Sequence, residues 1–176
     1  MVDTMTAWNP ALSSTNQAKV WPSKMAALSI KKSKRPLFIM GSLLNEIPQE
    51  ITEKSVQIAK NKDIPVVATG GSSLALSKSN FKPDDTMGVI EIINHLKNPQ
   101  WKGLDGKGNY DLVCFIGVPY YIGSQGLATL KNFAPHLKTM TLCRFMHPNA
   151  DMSCPNLNYE DWQVWLSEVE ENLDEE

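Results

Sequence analysis

The chain has 176 residues and a formal net charge of −2 at pH 7. This length suits a single domain that buries a core without disulfides or a structural metal. The slightly acidic balance gives no electrostatic reason to expect a nucleic-acid partner, and no apolar run approaches the ~18 residues that cross a bilayer.

The N-terminus and the cysteines predict the compartment. The first residues are polar and lack the basic-then-apolar layout of a secretory signal. The cysteines Cys114, Cys143 and Cys154 are odd in number and have no framework spacing, which is typical of a reducing environment. We therefore expect a cytoplasmic protein with no membrane partner.

Residues 1–22 predict an irregular N-terminal arm, and residues 23–176 a single α/β domain that ends in a helix. The arm mixes Ser, Thr, Asn and Pro with isolated apolar residues, including Trp8 and Trp21. Two tryptophans are unusual in a free tail, so we expect the arm to lie on a surface, either its own or a partner's. Ser23 is a suitable N-cap for the first helix.

The first half of the domain predicts a strand, a helix and a second strand. The strand Pro36–Met40 is followed by Gly41 and Ser42, and a helix runs from Pro48 to about Lys60. The second strand, Ile64–Thr69, ends at a pair of glycines. The unit spans roughly 30 residues, as in a βαβ crossover, and crossovers of this kind make the two strands parallel.

The second half repeats this alternation. Asp84 and Asp85 suit the start of a helix with an apolar stripe ending at Leu96. An apolar run that ends in Gly117 predicts a central strand buried on both faces. The remaining predicted elements are a helix from Gly123 to Pro135, a strand Thr139–Cys143 and a last helix capped by Asn158. Alternating strands and helices predict an α/β fold, doubly wound on a mostly parallel, Rossmann-like sheet with three layers.

Three of the predicted strands end in glycine at the same edge of the sheet. Open α/β sheets bind ligands at the carboxyl ends of their strands, and a glycine there lets backbone approach a phosphate. The sequence therefore predicts a nucleotide-binding or flavin-binding crevice, although glycines also simply permit tight strand-to-helix turns. The candidate binding residues are Gly41, Ser42, Thr69, Gly70, Gly71, Ser72, Gly117 and Val118.

Other kinds of site have weaker support. No G-x-G-x-x-G follows a strand and no phosphate-binding P-loop occurs. Cys143, His147 and Cys154 share one loop region, but they lack the four ligands and paired spacing of a closed metal site, so we expect no metal. Cys114 is interpreted as a small buried hydrophobe. No nucleophile elbow or paired carboxylates stand out, so we expect no catalytic residues and no self-sufficient enzyme.

The glycine-rich run Gly103–Gly108 precedes the central strand instead of following it. It should therefore lie at the opposite edge of the sheet from the crevice. We interpret it as a structural loop or a contact surface.

The run from Gly103 to Val113 resembles the epsilon subunit family of the archaeal acetyl-CoA decarbonylase/synthase complex. Supporting stretches are Lys34–Leu37, Ile64–Gly70 and Asn149–Ser153, followed by Asn156 and Leu157. The similarity spans most of the chain from about Met25 onward. The glycine-loop run is specific, whereas the strand-ending stretches are much less so.

The resemblance implies a flavin/nicotinamide-binding type of fold and a role as an accessory subunit. In the family's complex, a carbon monoxide dehydrogenase alpha subunit carries the nickel–iron–sulfur chemistry, as part of acetyl-CoA cleavage and synthesis. The implied role is to stabilise an alpha2-epsilon2 assembly. The alternative is to bind FAD and pass electrons from the alpha subunit's clusters to an acceptor, with ferredoxin as a further candidate partner. The candidate crevice residues come from the strand ends and not from the family.

Overall fold

The computed structural model describes residues 17–174, which alternate between strands and helices. The strands are β1 (Lys19–Val20), β2 (Pro36–Met40), β3 (Val66–Ala68), β4 (Asp85–Thr86), β5 (Leu112–Ile116), β6 (Lys138–Thr141) and β7 (Met152–Ser153). The helices are α1 (Ser23–Lys32), α2 (Gln49–Asn61), α3 (Ser73–Lys78), α4 (Val89–Lys97), α5 (Tyr120–Phe133) and α6 (Tyr159–Asp174), and a 3-10 turn (Ser42–Asn45) lies between β2 and α2.

The described strands form one seven-stranded sheet in the order β1-β7-β6-β5-β2-β3-β4, and every pair is parallel. From β2 the chain proceeds outward to β3 and β4, and from β5 it proceeds in the other direction to β6. The switch point therefore lies between β2 and β5, where Met40 pairs with Ile116. This topology confirms the predicted doubly wound, Rossmann-like α/β fold.

Helices cover both faces of the sheet. One face packs against α1, α2, α3 and α6, which share an apolar cluster with Phe38, Cys114 and Ile116. The other face packs against α4 and α5 and contributes Ile39, Val113 and Phe115. Every residue of β5 is buried, which explains why its sequence is continuously apolar. Cys114 is fully buried in this strand, as predicted.

Two predicted helix starts are wrong. Asp84 and Asp85 do not begin α4. Instead, an Asp84 carboxylate oxygen accepts a hydrogen bond from Val66 N at 2.8 Å, and Asp85 lies in β4. Ser23 is the first helical residue of α1, not its cap, and its hydroxyl donates to Glu168 on α6 at 2.5 Å. In both cases, a polar side chain that was expected at a helix start instead forms a hydrogen bond to a distant part of the chain.

The predicted N-terminal arm is described only from residue 17 onward, so Trp8 lies outside the described residues. The described part is not irregular throughout, because β1 pairs with β7 at the edge of the sheet. Trp21 packs against the apolar cluster on the α6 face. The arm therefore contributes an edge strand before α1 begins.

The glycine-rich loop Gly103–Gly108 lies at the amino ends of β2 and β5, as predicted. Arg35 holds it with hydrogen bonds to Asp105 Oδ1 at 2.7 Å and to Gly108 O at 3.0 Å. The Arg35 guanidinium lies 5.2 Å from the Tyr110 ring centre. The hydrogen bond from Arg35 is the main cause that lowers the pKa of Asp105 to about 2. The loop thus has a clear structural role.

Among the described residues, no helix has both the length and the apolar character that crossing a bilayer requires.

Candidate functional site

Gly41 and Gly117 meet at the switch point, where β2 and β5 end. Gly41 N donates to Ile116 O at 2.8 Å, and a Cβ on Gly41 would overlap the backbone of Gly117 and Val118. Gly117 has a φ of +68°, and a Cβ there would lie 2.6 Å from the Leu44 side chain. These two glycines are therefore required by the protein's own packing.

The 3-10 turn after β2 fills the space between the two strand ends. Leu44 is 1% exposed and packs on Gly117. Leu43 N donates to Gly117 O at 2.9 Å, and Leu44 N donates to Gly41 O at 3.2 Å. These backbone amides, which could otherwise bind an anion, already have protein partners. The switch point is a packed junction and not an open crevice.

The predicted Thr69–Ser72 segment lies beside this junction. Ser72 is buried, donates to Met40 O at 2.7 Å and accepts from Thr69 N at 3.0 Å. Gly70 lies next to Ser42, since a Cβ added at Gly70 would be 3.4 Å from the Ser42 Cβ. Gly71 has a φ of +81° and open space around it. The eight predicted residues include four glycines, and of these only Gly71 has open space where a side chain would be.

A cavity of about 230 Å³ opens at the carboxyl ends of β5 and β6. Its walls come from the 3-10 turn, the start of α5, the loop after β6 and the start of α6, and they include Leu43, Val118, Cys143 and Trp162. Gly117 and Val118 line this cavity, whereas the other six predicted residues do not. The cavity is displaced from the predicted crevice by one strand.

Four residues, which we call the aromatic rim, surround the mouth of the cavity: Tyr120, Arg144, Phe145 and Tyr159. The Arg144 guanidinium lies 4.0 Å from the centre of the Phe145 ring and 4.4 Å from the centre of the Tyr159 ring. The Arg144 guanidinium therefore makes a cation–π contact with both rings.

Hydrogen bonds fix the loop that carries the rim. Leu157 N donates to Arg144 O at 2.9 Å, and Met146 N donates to Asn156 Oδ1 at 2.8 Å. The Tyr120 hydroxyl donates to Met146 O at 3.2 Å, which ties the start of α5 to the same loop. The rim is thus built on three segments that hold one another in place.

Two titratable groups in the cavity wall, His147 and Cys143, are neutral at pH 7. Burial lowers the pKa of His147 to about 4, and its ring stacks on Tyr120 with centroids 4.2 Å apart. Burial raises the pKa of the Cys143 thiol to about 11, although the backbone N–H groups of Gly117 and Val118 oppose this shift. Neither group is charged or activated as a nucleophile.

Cys154, the other cysteine of this loop region, is also buried. Burial also raises the pKa of Cys154. Among residues 17–174, no group of three or more His, Cys, Asp or Glu side chains is arranged to hold a metal ion.

The switch point does not fit the pyrophosphate of a dinucleotide such as FAD. A pyrophosphate site needs free backbone amides and glycines whose missing side chains leave room for the ligand. Here the amides of Gly41, Leu43 and Leu44 have internal partners, and the space beside Gly41 and Gly117 is filled by the chain itself. Gly71 remains the open position, at the end of β3.

The sequence prediction missed the rim. Tyr120, Arg144 and Phe145 follow strands β5 and β6, and Tyr159 begins α6. The available signal was an arginine next to an aromatic residue directly after a predicted strand, at the ligand-binding edge of the sheet. Glycine placement drew attention to the neighbouring strand ends instead.

Several known proteins are similar to this chain over most of its length. The chain is 42% identical over 168 residues to the acetyl-CoA decarbonylase/synthase complex subunit epsilon of Methanothermobacter thermautotrophicus, covering 95% of each chain. It is 36% identical over 155 residues to the protein of that name from Methanothrix soehngenii, covering 86% of this chain and 82% of the relative. It is also 36% identical over 162 residues to subunit epsilon 1 of Archaeoglobus fulgidus, covering 91% and 85%.

A family described as CO dehydrogenase beta subunit/acetyl-CoA synthase epsilon subunit matches residues 7–173, which is nearly the whole chain. The resemblance inferred from the Gly103–Val113 run is therefore confirmed. The chain belongs to the CO dehydrogenase beta subunit/acetyl-CoA synthase epsilon subunit family.

Proposed function

We propose that this chain is a non-catalytic accessory subunit that docks on and stabilises the carbon monoxide dehydrogenase alpha subunit. The larger assembly is an acetyl-CoA decarbonylase/synthase complex, which reversibly cleaves and synthesises acetyl-CoA. The observation that carries the proposal is the near full-length similarity to proteins named as subunit epsilon of that complex. The free thiols of Cys114, Cys143 and Cys154 favour a reducing, cytoplasmic location.

The chemistry of the cavity supports an accessory role. His147 and Cys143 are both neutral at pH 7, and the wall around them is mainly apolar and aromatic. Such a wall suits binding more than acid–base or nucleophilic chemistry. In this proposal the reaction centre belongs to the alpha subunit, and this chain contributes stability to an assembly with two copies of each.

The test is thermal inactivation of purified alpha subunit with and without this chain. Because a partner that binds only the folded state stabilises it by mass action, the half-life of carbon monoxide oxidation should lengthen with added chain and level off near one copy per alpha subunit. Serum albumin at the same concentration is the control. An unchanged half-life at saturating chain would contradict the stabilising role.

The N-terminal arm is a second candidate for contact with the alpha subunit. We expect a chain lacking residues 1–16 to bind alpha more weakly, because that segment carries Trp8, and tryptophans are frequent anchors at protein interfaces. This truncation keeps strand β1, so the sheet edge stays intact. Equal affinity of the truncated and full chains would remove the arm from the interface.

The alternative function is FAD binding with electron transfer from the alpha subunit to an acceptor such as ferredoxin. It is supported by the open space at Gly71 and by the aromatic cavity beside Gly117 at the same sheet edge. Titration of FAD with the complex, followed by flavin fluorescence, tests it. Saturable quenching at micromolar FAD that Gly71→Val abolishes would favour this function, and absence of quenching would exclude it.

A further inference from the structure

We infer that the aromatic rim is the surface through which this chain docks on the larger subunit. A carboxylate of the partner would pair with Arg144, and an apolar partner side chain beside that carboxylate would enter the cavity. The inference rests on the proposed accessory function and specifies the contact through which it operates.

The rim exposes an unusual amount of aromatic surface at one place. Tyr120 is 46% exposed, Phe145 47% and Tyr159 41%. Tyrosine and arginine are among the residues that dominate binding energy at protein interfaces, especially where they surround a pocket that a partner can fill. The apolar side chains of Leu43 and Ile47 extend this surface into the cavity.

Within residues 17–174, Arg144 forms no ion pair with a carboxylate. The hydrogen bond from Arg144 Nη1 to Leu157 O is long, at 3.4 Å. A guanidinium is planar, and its remaining N–H donors match the two oxygens of a carboxylate. A carboxylate, which is planar and carries one negative charge, would therefore complement Arg144.

The cavity also carries Glu46 in its lining, and this carboxylate is exposed. Its negative charge opposes a multiply charged ligand such as a nucleotide polyphosphate. One arginine and one glutamate favour a partner that brings one carboxylate together with an apolar group. An aspartate or glutamate side chain next to a leucine or phenylalanine has this chemistry.

The surface needs little rearrangement before it binds. The loop after β6 is held to the segment before α6 by the Leu157–Arg144 and Met146–Asn156 hydrogen bonds. Trp162 Nε1 donates to Leu142 O at 2.7 Å and fixes the inner wall of the cavity. A surface that is already ordered loses less conformational entropy on association, so more of its contact energy contributes to affinity.

The experiment measures the affinity of the full-length chain for purified alpha subunit by isothermal titration calorimetry. Arg144→Glu should raise Kd by at least about tenfold, because it replaces attraction to the partner carboxylate by repulsion. Arg144→Lys should raise Kd less, since it keeps the charge but loses the planar pair of donors. Lys82→Glu makes the same charge change at an exposed loop position away from the rim and should leave Kd unchanged.

A second pair of variants tests the aromatic part of the surface. Phe145→Ala should raise Kd by at least about fivefold, since an aromatic at the edge of a filled pocket contributes strongly to binding. Phe133→Ala removes a comparably exposed aromatic from the far end of α5 and is the matched control, with Kd unchanged. Circular dichroism melts of every variant establish that the fold is retained.

The outcomes separate the two proposals. If the unsubstituted chain binds alpha and folded Arg144→Glu and Phe145→Ala bind equally well, the rim is not the docking surface, while the accessory role stands. If the unsubstituted chain does not bind, both proposals fail. If FAD or ADP binds saturably to the isolated chain, loses affinity in Arg144→Glu and leaves the Kd for alpha unchanged, the cavity is a small-molecule site and the docking inference is overturned.

Discussion

Gly41 and Gly71 both follow strands, but different physical constraints require glycine at the two positions. Gly41 faces the backbone of Gly117 and Val118, so its missing side chain permits two strand ends to touch. Gly71 has open space and a φ of +81°, so its requirement is conformational only. Both glycines were predicted to line one ligand crevice, because a glycine that follows a strand looks the same in the sequence whether it permits packing or a left-handed backbone.

This difference predicts unequal costs of substitution. Gly41→Ala should lower the free energy of unfolding by about 2 kcal/mol or more, because the added methyl overlaps backbone that cannot move aside. Gly71→Ala should cost about 1 kcal/mol, because alanine is strained in a left-handed backbone conformation. Urea denaturation measures both values. Equal costs would contradict the packed junction.

His147 predicts a pH-dependent stability. Burial lowers its pKa in the folded chain from 6.5 to about 4, so the unfolded chain binds more protons between these values. Stability should therefore be fully present above about pH 6.5 and decrease as the pH falls toward 4, by up to about 3 kcal/mol.

The measurement is urea denaturation of the unsubstituted chain and of His147→Phe at pH 7, 5.5 and 4.5. The phenylalanine ring can keep the stacking on Tyr120 but does not titrate. The variant should lose much less stability over this range than the unsubstituted chain. Parallel losses in the two proteins would show that His147 does not titrate as its burial implies.

At the scale of elements, one side chain, that of Arg35, contacts the glycine-rich loop before β5 at several points. Arg35 bonds Asp105, Gly108 O and Asn109 O and covers the Tyr110 ring. Through these contacts a loop with three left-handed glycines has a fixed position at the amino edge of the sheet.

Arg35→Ala should loosen this loop without unfolding the domain. We expect hydrogen exchange at Leu104 N, which donates to the Tyr110 hydroxyl, and at Gly108 N, which donates to Lys102 O, to become at least about tenfold faster. Lys107→Ala, which removes only an exposed pair at 3.9 Å, should leave both rates unchanged. Unchanged exchange in Arg35→Ala would show that the loop is held by other contacts.

The long, continuously apolar strands and the amphipathic helices could be predicted from the sequence. Strand β2 has the predicted bounds, and α2, α5 and α6 differ from prediction by a few residues at their ends. Asn158 caps α6 as predicted, since its side-chain oxygen accepts from Asp161 N at 2.8 Å. Local pattern is sufficient where an element buries a whole face.

The three two-residue strands could not be predicted. Strands β1, β4 and β7 are too short to carry an alternating or apolar pattern, and β1 and β4 are exposed. They form because the neighbouring strands offer backbone N–H and C=O groups with which they can pair. The aromatic rim escaped prediction for a related reason, because its residues come from three separate segments that only the fold brings together.

At the scale of the whole molecule, the sheet has two distinct edges. The amino edge is closed by the Arg35 loop, whereas the carboxyl edge carries the packed Gly41–Gly117 junction and, beside it, the cavity with its exposed rim. The central strands are shielded by helices on both faces, and exposed aromatic residues lie at the carboxyl edge. This arrangement is consistent with the proposed accessory role, in which a rigid core supports a binding surface at the carboxyl edge.

The most direct test of the accessory-subunit proposal is sedimentation velocity of the purified full-length chain mixed with carbon monoxide dehydrogenase alpha subunit. We predict that the two co-sediment as one species whose mass corresponds to two copies of each, at micromolar concentration. Independent sedimentation of the two proteins at these concentrations, with alpha folded and active, would contradict the proposed function.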